Sequence, residues 1–380
     1  MSIEPGSYQQ QLARQIKRNN PSLSERIILA FSQIPRHLFV DHYYLHEPGN
    51  RQWTQYEREE SETWYEQIYR NDALVTHVDH YGRTLSSSSQ PDVMACMLQA
   101  LDVQEGMRVL EIGTGSGYNA AILAQLAGSP RAVTTIDIDA DVIARARETI
   151  PQVVGDGMTI VQADGRDGYQ ANAPYHRIMI TAGTPTLPHT WLKQLAPDGI
   201  LVGVLQPKFA MSGGLLQAQK HEETLSGRIL RPASFMELRP VDYRKRGIHL
   251  DFRALTFASF PCDARLFHPG LLRGNPDFTF FLYYDFFDLY VFMKDEAFFV
   301  YQEAFPHGYV VFQQKPSLQV ELRGDRAIAC SLWNRLIRAY TLWNCVGQPT
   351  ISQYEFEMDC RGQALLLLGA FGKVWPFGVW

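Results

Sequence analysis

A turn with three alternating glycines is the part of the sequence best suited to chemistry. It lies within residues 108–118 and follows the apolar run 109–112, which predicts a buried parallel strand, and an apolar-faced helix comes next. Glycines place no side chain between ligand and backbone, and they permit dihedrals that other residues avoid. The pattern predicts a cofactor lying across the strand end, against Gly113, Gly115 and Gly117.

Two classes of nucleotide cofactor use such a turn, and the details of the motif separate them. A dinucleotide fingerprint ends in a glycine that lets helix and strand pack closely, but Tyr118 occupies that position here. The observed pattern is an acid, an apolar residue and then Gly-x-Gly-x-Gly, which resembles the first motif of class I S-adenosylmethionine methyltransferases. The resemblance implies that the cofactor is held by Glu111, Gly113, Thr114, Gly115 and Gly117.

A carboxylate follows the next strand at the distance expected of a ribose ligand. Residues 132–137 predict a second strand that ends in Asp137, about 20 residues beyond the last glycine. At this distance the carboxylate can accept hydrogen bonds from both ribose hydroxyls, and we expect Asp137 and the adjacent Ile138 to bind the cofactor. Because nicotinamide dinucleotides carry the same ribose, Asp137 alone does not exclude an oxidoreductase.

Composition describes an ordinary globular chain and argues against several functional classes. The 380 residues are 46% hydrophobic and 20% charged, and this length predicts two domains because a single core rarely grows beyond roughly 250 to 300 residues. A net charge of −5 lacks the excess of positive charge that is typical of proteins binding nucleic acid or an anionic membrane. Five scattered cysteines suggest neither a disulfide framework nor a metal site. Without a signal peptide or a bilayer-length apolar run, we expect a cytoplasmic protein.

Two segments before the glycine turn resemble a particular family. Residues 34–40, Ile-Pro-Arg-His-Leu-Phe-Val, look like the (V/I)-P-R-x-x-F-V segment of protein-L-isoaspartate O-methyltransferases. Residues 82–91 resemble that family's G-Q-T-I-S-Q-P segment, with Arg83 in place of glutamine and three additional serines, Ser86 to Ser88. This departure leaves cofactor use unaffected but bears directly on the identity of the substrate.

The altered segment carries the active-site hydroxyl in this family. By the match onto Ser-Gln-Pro, Ser89 takes the catalytic position, although Ser88 or Ser87 could occupy the same space. A carboxylate acceptor is already ionised at neutral pH, so a hydroxyl that orients it for in-line attack on a methyl sulfonium is sufficient. The alternative is that a serine before Pro91 only caps the helix that follows.

The motifs after Asp137 continue the resemblance, which covers about residues 34–238. Residues 163–165 match the turn whose acid receives the adenine amino group, and residues 174–183 match the strand F-D-x-I-I-V-T-A-A, with His176 where aspartate is common. The resemblance therefore adds three cofactor contacts, Asp164, Gly165 and Thr181.

Two regions go beyond the family pattern. A polar insert at 41–70 is expected to form a solvated helix or lid, with a substrate role as the alternative. In the appended region, the aromatic stretch 278–312 predicts core strands, 326–343 a helix and 349–358 a strand. Such a region is weakly similar to extensions on methyltransferases that modify ribosomally made peptides.

Together these patterns predict an α/β fold, a Rossmann-like class I methyltransferase sheet closed by antiparallel strands at 214–220 and 233–238. The predicted units are an N-terminal helical segment with the insert (1–75), an S-adenosylmethionine-binding domain (76–239) and an α+β C-terminal domain for substrate recognition or structure (240–380).

The predicted activity is esterification of an aspartyl or isoaspartyl carboxylate of a peptide or protein by S-adenosyl-L-methionine, without a metal. In the family, the neighbouring backbone nitrogen attacks such a methyl ester and a succinimide forms. The altered serines, the insert and the C-terminal region favour tailoring of a ribosomally made peptide over general isoaspartate repair. A non-catalytic cofactor- or peptide-binding adaptor is the alternative from another class, and the oligomeric state is not predicted.

Overall fold

The computed structural model describes residues 4–46, 53–80, 82–207, 212–239, 258–263, 266–268, 270–283, 289–294, 297–302, 305–314, 319–324, 326–368 and 373–377. The described helices are α1 (Pro5–Asn19), α2 (Glu25–Gln33), α3 (Glu62–Ile68), α4 (Pro91–Leu101), α5 (Tyr118–Ala127), α6 (Ala140–Val154), α7 (His189–Gln194), α8 (Leu271–Gly274), α9 (Pro276–Phe281) and α10 (Arg326–Cys345).

The first eleven described strands are β1 (His42–His46), β2 (Trp53–Glu57), β3 (Leu74–Val78), β4 (Thr84–Ser88), β5 (Val109–Ile112), β6 (Val133–Asp137), β7 (Thr159–Gln162), β8 (Tyr175–Thr184), β9 (Leu195–Leu205), β10 (Gly213–His221) and β11 (Thr224–Ala233). The rest are β12 (Ala258–Asp263), β13 (Leu289–Lys294), β14 (Ala297–Gln302), β15 (Phe305–Gln314), β16 (Gln319–Gly324), β17 (Tyr354–Met358), β18 (Ala364–Leu368) and β19 (Lys373–Phe377).

A ten-stranded sheet forms the centre of the fold, in the order β19-β18-β17-β11-β10-β9-β8-β5-β6-β7. Strands β5 to β9 pair in parallel, and those beyond β9 pair antiparallel. All four residues of β5 are buried, as expected of a parallel strand covered by helices on both faces. The predicted Rossmann-like α/β fold is confirmed.

The closing hairpin differs from the prediction at its second strand. Strand β11 follows β10 almost at once, through a tight turn in which Glu222 has a φ of 53°. The predicted strand at 233–238 is wrong, because this stretch crosses to the end of β8 instead. There Met236 O accepts from Gly183 N (2.8 Å) and Leu238 N donates to Gly183 O (2.7 Å).

The described parts of the 41–70 insert, residues 41–46 and 53–70, are integrated into the fold and do not form the predicted solvated helix or lid. The hairpin β1–β2 joins β3 and β4 in a four-stranded antiparallel sheet of order β2-β1-β3-β4. Helix α3 buries Trp64, Tyr65 and Ile68 in the core that also contains α1, α2 and α4. The aromatic residues of the insert therefore serve packing, and the insert widens the sheet that carries the serine strand β4.

The region after residue 240 contributes both a separate sheet and part of the central one. Strands β12 to β16 form a five-stranded antiparallel sheet. Residues 276–281 form helix α9 rather than the predicted strand, because Asn275 caps a short helix by accepting from Phe278 N. The helix predicted at 326–343 is confirmed as α10. Strand β17 lies within the stretch predicted at 349–358 and leads β18 and β19 onto the central sheet.

Side chains from this region share a core with one face of the central sheet. Phe278, Phe280 and Leu336 belong to the same buried cluster as Ile178 and Leu216. The domain boundary after residue 239 stays a prediction. Residues before and after this position bury apolar side chains in one common cluster. Within the described residues, no helix has the length and apolarity needed to cross a lipid bilayer.

This shared core predicts cooperative unfolding. Leu336 is 3% exposed on α10, and replacing it with alanine should lower the free energy of unfolding by about 2–5 kcal/mol. Circular dichroism and tryptophan fluorescence in urea should shift together to lower midpoints. Two separate unfolding transitions, with the transition of the cofactor-binding part unchanged by the substitution, would contradict the shared core.

Candidate active site

An open cavity lies at the carboxyl ends of β5, β6 and β8, the end of a parallel sheet where ligands bind in such folds. The wall opposite the glycine turn is the serine strand β4, and the stretch 235–239 closes a third side. The structure brings nine predicted site residues to this cavity: Gly113, Thr114, Gly115, Asp137, Ile138, Gly165, Thr181, Ser88 and Ser89. Three others do not line it: Glu111, Gly117 and Asp164.

The glycine turn allows two neighbouring segments to touch its backbone. Gly115 has a φ of 53°, and a Cβ there would lie 3.0 Å from Ser87 O on the opposite wall. At Gly113, with a φ of 104°, a Cβ would lie 2.5 Å from Thr181 Oγ1. The Thr181 hydroxyl donates to Gly113 O at 2.6 Å. Glycine is thus required by both dihedral and contact.

Asp137 is held in place by the backbone around it. Its two carboxylate oxygens accept from Gly115 N (3.1 Å) and Asp139 N (3.1 Å). Burial raises the pKa of Asp137, although these hydrogen bonds and the positive charge of Arg239 act in the opposite direction. Each carboxylate oxygen can accept more than one hydrogen bond, so the residue retains the capacity to bind a ribose at the cavity wall.

Glu111 lies beneath the turn rather than in the cavity. It is fully buried, and its carboxylate accepts from Asn119 Nδ2 (2.6 Å) and Thr135 Oγ1 (2.5 Å). The Thr135 hydroxyl is also 2.8 Å from Thr114 Oγ1. Glu111 therefore ties β5, α5 and β6 to the turn, and it supports the cofactor wall from behind instead of lining it.

Asp164 precedes the cavity-lining Gly165, and its carboxylate is engaged by a neighbouring arginine. Its carboxylate is paired with Arg166, whose Nη2 is 2.5 Å away and whose Nε is 3.0 Å away. Its Oδ1 also accepts from Arg166 N at 2.9 Å, which caps the short 3-10 helix that begins at Gly165. Arg166 lies two residues later in the chain, and the motif gave no reason to expect it to engage this acid.

The four serines of the acceptor wall have different environments. Ser86 is 5% exposed, and its buried hydroxyl has no hydrogen-bond partner among the described residues. Ser88 is also buried, and its hydroxyl accepts from Arg36 Nε at 3.2 Å. Ser87 and Ser89 are half-buried. Buried hydroxyls are nearly always hydrogen-bonded, so Ser86 is the hydroxyl that a bound ligand would satisfy.

Helix α4 does not use these serines as a cap. Its first flanking residue is Gln90, which makes no side-chain capping bond. Instead, Asn71 reaches across from another loop, and its Oδ1 accepts from Asp92 N at 2.9 Å. The capping alternative for a serine before Pro91 is therefore wrong, and the serine strand is available for another role.

Sequence reasoning missed two arginines at this wall. Arg36 lies within the family-like segment 34–40, but the resemblance did not indicate which groups its side chain contacts. Arg239 follows the stretch mistaken for a strand, and its Nη2 donates to Leu85 O at 2.5 Å. Both bind the carbonyl groups of the serine strand, which no spacing rule along the chain indicates.

The fold and this cavity define a class I S-adenosylmethionine-dependent methyltransferase. A solved protein-L-isoaspartate O-methyltransferase has the same fold, with a TM-score of 0.57, 22% identity, and coverage of 94% of this chain and 98% of that chain. Residues 7–239 match the family model for protein-L-isoaspartate(D-aspartate) O-methyltransferase. The chain belongs to this family.

Relatives of known sequence agree with this assignment. Protein-L-isoaspartate O-methyltransferase 2 of Archaeoglobus fulgidus is 33% identical over 187 residues, covering 49% of this chain and 73% of the relative. The protein of the same name from Polaromonas sp. is 31% identical over 218 residues, covering 57% and 90%. The protein is therefore an S-adenosylmethionine-dependent protein carboxyl O-methyltransferase, with S-adenosyl-L-methionine as its cofactor.

The buried Glu111 predicts a pH-dependent stability. Burial raises its pKa to about 7 from an ordinary value of 4.5. Between these two pH values the folded chain binds more protons than the unfolded one, so the contribution of Glu111 to stability falls as pH rises and is level above about pH 7. Relative to Glu111→Gln, wild type should lose roughly 3 kcal/mol across this window. Urea denaturation of both proteins at pH 5 and pH 8 measures the difference, and parallel pH profiles would contradict it.

Proposed function

We propose that the chain, acting in the cytoplasm, esterifies an aspartyl-type carboxylate of a ribosomally made peptide, with the Ser86 hydroxyl orienting that carboxylate. The observation that carries the proposal is the buried Ser86 Oγ on the cavity wall that faces the glycine turn; this oxygen has no hydrogen-bond partner in the described part of the chain. This assignment moves the orienting hydroxyl from Ser89, which the motif match favoured, to the first serine of the run.

The serine wall is chemically suited to an anion because three of its carbonyl groups are already engaged by arginines. Leu85 O accepts from Arg239, while Ser88 O and Ser89 O accept from Arg36. Exposed carbonyl oxygens would repel a carboxylate, whereas a hydroxyl can donate to one without protonating it. The wall therefore offers an acceptor acid a donor at Ser86.

The reaction needs orientation more than acid–base catalysis. When bound, the cofactor supplies an electrophilic methyl group on a sulfonium. In this proposal the glycine turn and Asp137 hold the nucleoside part, and Ser86 orients the acid from the facing wall; all of them line the same cavity. A carboxylate is ionised at neutral pH, and its charge cancels that of the sulfonium as they approach, so a dry cavity does not oppose the step.

Tailoring of a particular peptide is supported by the departures on the acceptor side. Three additional serines lengthen the wall strand, and hairpin β1–β2 widens its sheet. The serines line the cavity and the hairpin extends the same sheet beyond β3, whereas the cofactor motif keeps the family pattern. A general repair function is the second candidate, favoured by the names of the relatives, which are protein-L-isoaspartate O-methyltransferases.

Paired peptides distinguish the two candidates. We expect labelled methyl transfer from S-adenosylmethionine to aspartyl or isoaspartyl sites in one sequence context, with little transfer to unrelated isoaspartyl peptides. A succinimide should follow, seen as the loss of water from the peptide by mass spectrometry. Equal activity on many unrelated isoaspartyl peptides would establish repair, and binding of the cofactor without any methyl acceptor would leave only an adaptor.

The four serines should not be equivalent in activity. Ser86→Ala should lower kcat/KM for the peptide by about 10- to 100-fold because the acceptor loses its orienting donor. Ser89→Ala, a matched change on the half-buried end of the wall, should have a smaller effect. Binding of S-adenosylhomocysteine, measured by calorimetry, should be unchanged in both. A larger loss from Ser89→Ala than from Ser86→Ala would return the role to Ser89.

A further inference from the structure

A single guanidinium holds the lower end of the serine wall. Arg36 begins a short 3-10 helix, and its side chain is completely buried. The five N–H groups of the guanidinium contact six acceptors, so one N–H of Nη2 is shared between two carbonyl oxygens. The acceptors are Ser88 Oγ (3.2 Å), Ile68 O (3.0 Å), Arg70 O (2.9 Å), Asp72 O (3.0 Å), Ser88 O (3.2 Å) and Ser89 O (3.1 Å). Half of these bonds go to the acceptor wall itself.

The charge of Arg36 is not neutralised by an acid. Among the described residues it forms no ion pair, and the nearby Asp72 carboxylate is instead paired with Arg70 at the surface. Burial lowers the pKa of Arg36 to about 10, so the side chain remains protonated at neutral pH. A buried cation held only by carbonyl and hydroxyl dipoles is unusual, because isolated buried charges normally have a counter-ion.

The same guanidinium joins the wall to the loop that supports it. Its bonds to Ile68, Arg70 and Asp72 fix the backbone on either side of Asn71. Asn71 in turn caps α4 and accepts from Gln90 Nε2 through its carbonyl at 3.0 Å. The position of the whole serine segment therefore depends on Arg36.

We propose that Arg36 is a positioning residue for the acceptor, acting through Ser88 and the wall backbone, and that its unneutralised charge favours the anionic acceptor over the neutral ester. This inference rests on the proposed function. The Ser88 hydroxyl accepts from Arg36 Nε, which leaves its own hydrogen as a polarised donor at a wall that lines the cavity. Once methylated, the acceptor loses its charge, and the attraction that helped to hold it disappears.

Three variants test the inference. Arg36→Lys keeps the charge but loses the planar fork, Arg36→Met loses both, and Ser88→Ala removes only the side-chain link. We expect the peptide KM to rise about tenfold in Arg36→Lys and in Ser88→Ala, because each change weakens one hydrogen-bonded link to the wall. The KM should rise further in Arg36→Met, which loses both the charge and the hydrogen bonds. The double variant Arg36→Lys/Ser88→Ala should raise the KM by less than the product of the single effects.

Arg177 provides a matched control. It is also a buried arginine that donates to backbone carbonyls, Asp102 O at 3.1 Å and His176 O at 2.9 Å, and it does not line the cavity. Arg177→Lys should lower Tm without changing the peptide KM. Calorimetry with S-adenosylhomocysteine should give wild-type affinity in Arg36→Lys. A methyl-ester peptide should inhibit methylation of the acid peptide more weakly in wild type than in Arg36→Met.

The outcomes separate this inference from the proposed function. Wild-type protein that methylates no peptide would overturn the proposed function itself. If wild type is active, an Arg36→Lys variant that only loses stability, as Arg177→Lys does, with an unchanged peptide KM, would overturn the positioning role. An equal loss of S-adenosylhomocysteine affinity would also overturn it. Should Arg36→Met not fold, Arg36→Lys and Ser88→Ala still decide the question.

Discussion

The close approach of the serine strand to the glycine turn is the constraint on which the site depends. A Cβ at residue 115 would lie only 3.0 Å from Ser87 O, and the positive φ of Gly115 also disfavours a residue with a side chain. The cofactor wall and the acceptor wall therefore meet at backbone distance. Under the proposed function, a donor on one wall and an acceptor acid on the other lie close together, and such orientation accelerates a displacement reaction.

Two buried ionisable groups support this junction from opposite sides. Glu111 holds the turn from behind through Asn119 and Thr135, and Arg36 holds the serine strand through its backbone and Ser88. Each lies beneath one wall and leaves the wall's surface to the ligands. Buried polar groups with satisfied hydrogen bonds rigidify the structure around them, so the cavity owes its shape to residues that do not line the cofactor pocket.

The sequence predicted the local elements well and the long-range contacts poorly. Strand β5, the turn and Asp137 follow from apolar periodicity and glycine spacing, which act over a few residues. The insert could not be placed, because its polar residues gave no sign that Trp64 and Tyr65 would be buried against helices far along the chain. The burial of Ser86 and the hydrogen bonds of Arg36 were equally hidden, since both depend on segments brought together only by the fold. The pairing of Asp164 with Arg166 was also not visible in the motif, and the adenine contact of Asp164 stays a prediction.

A crystal structure of the enzyme with S-adenosylhomocysteine and an unreactive acceptor peptide would test the central claim most directly. The account predicts the nucleoside against Gly113 to Gly115 with its ribose on Asp137, and the acceptor carboxylate within about 3 Å of Ser86 Oγ. A carboxylate bound elsewhere, beyond hydrogen-bond reach of every serine in β4, would contradict it.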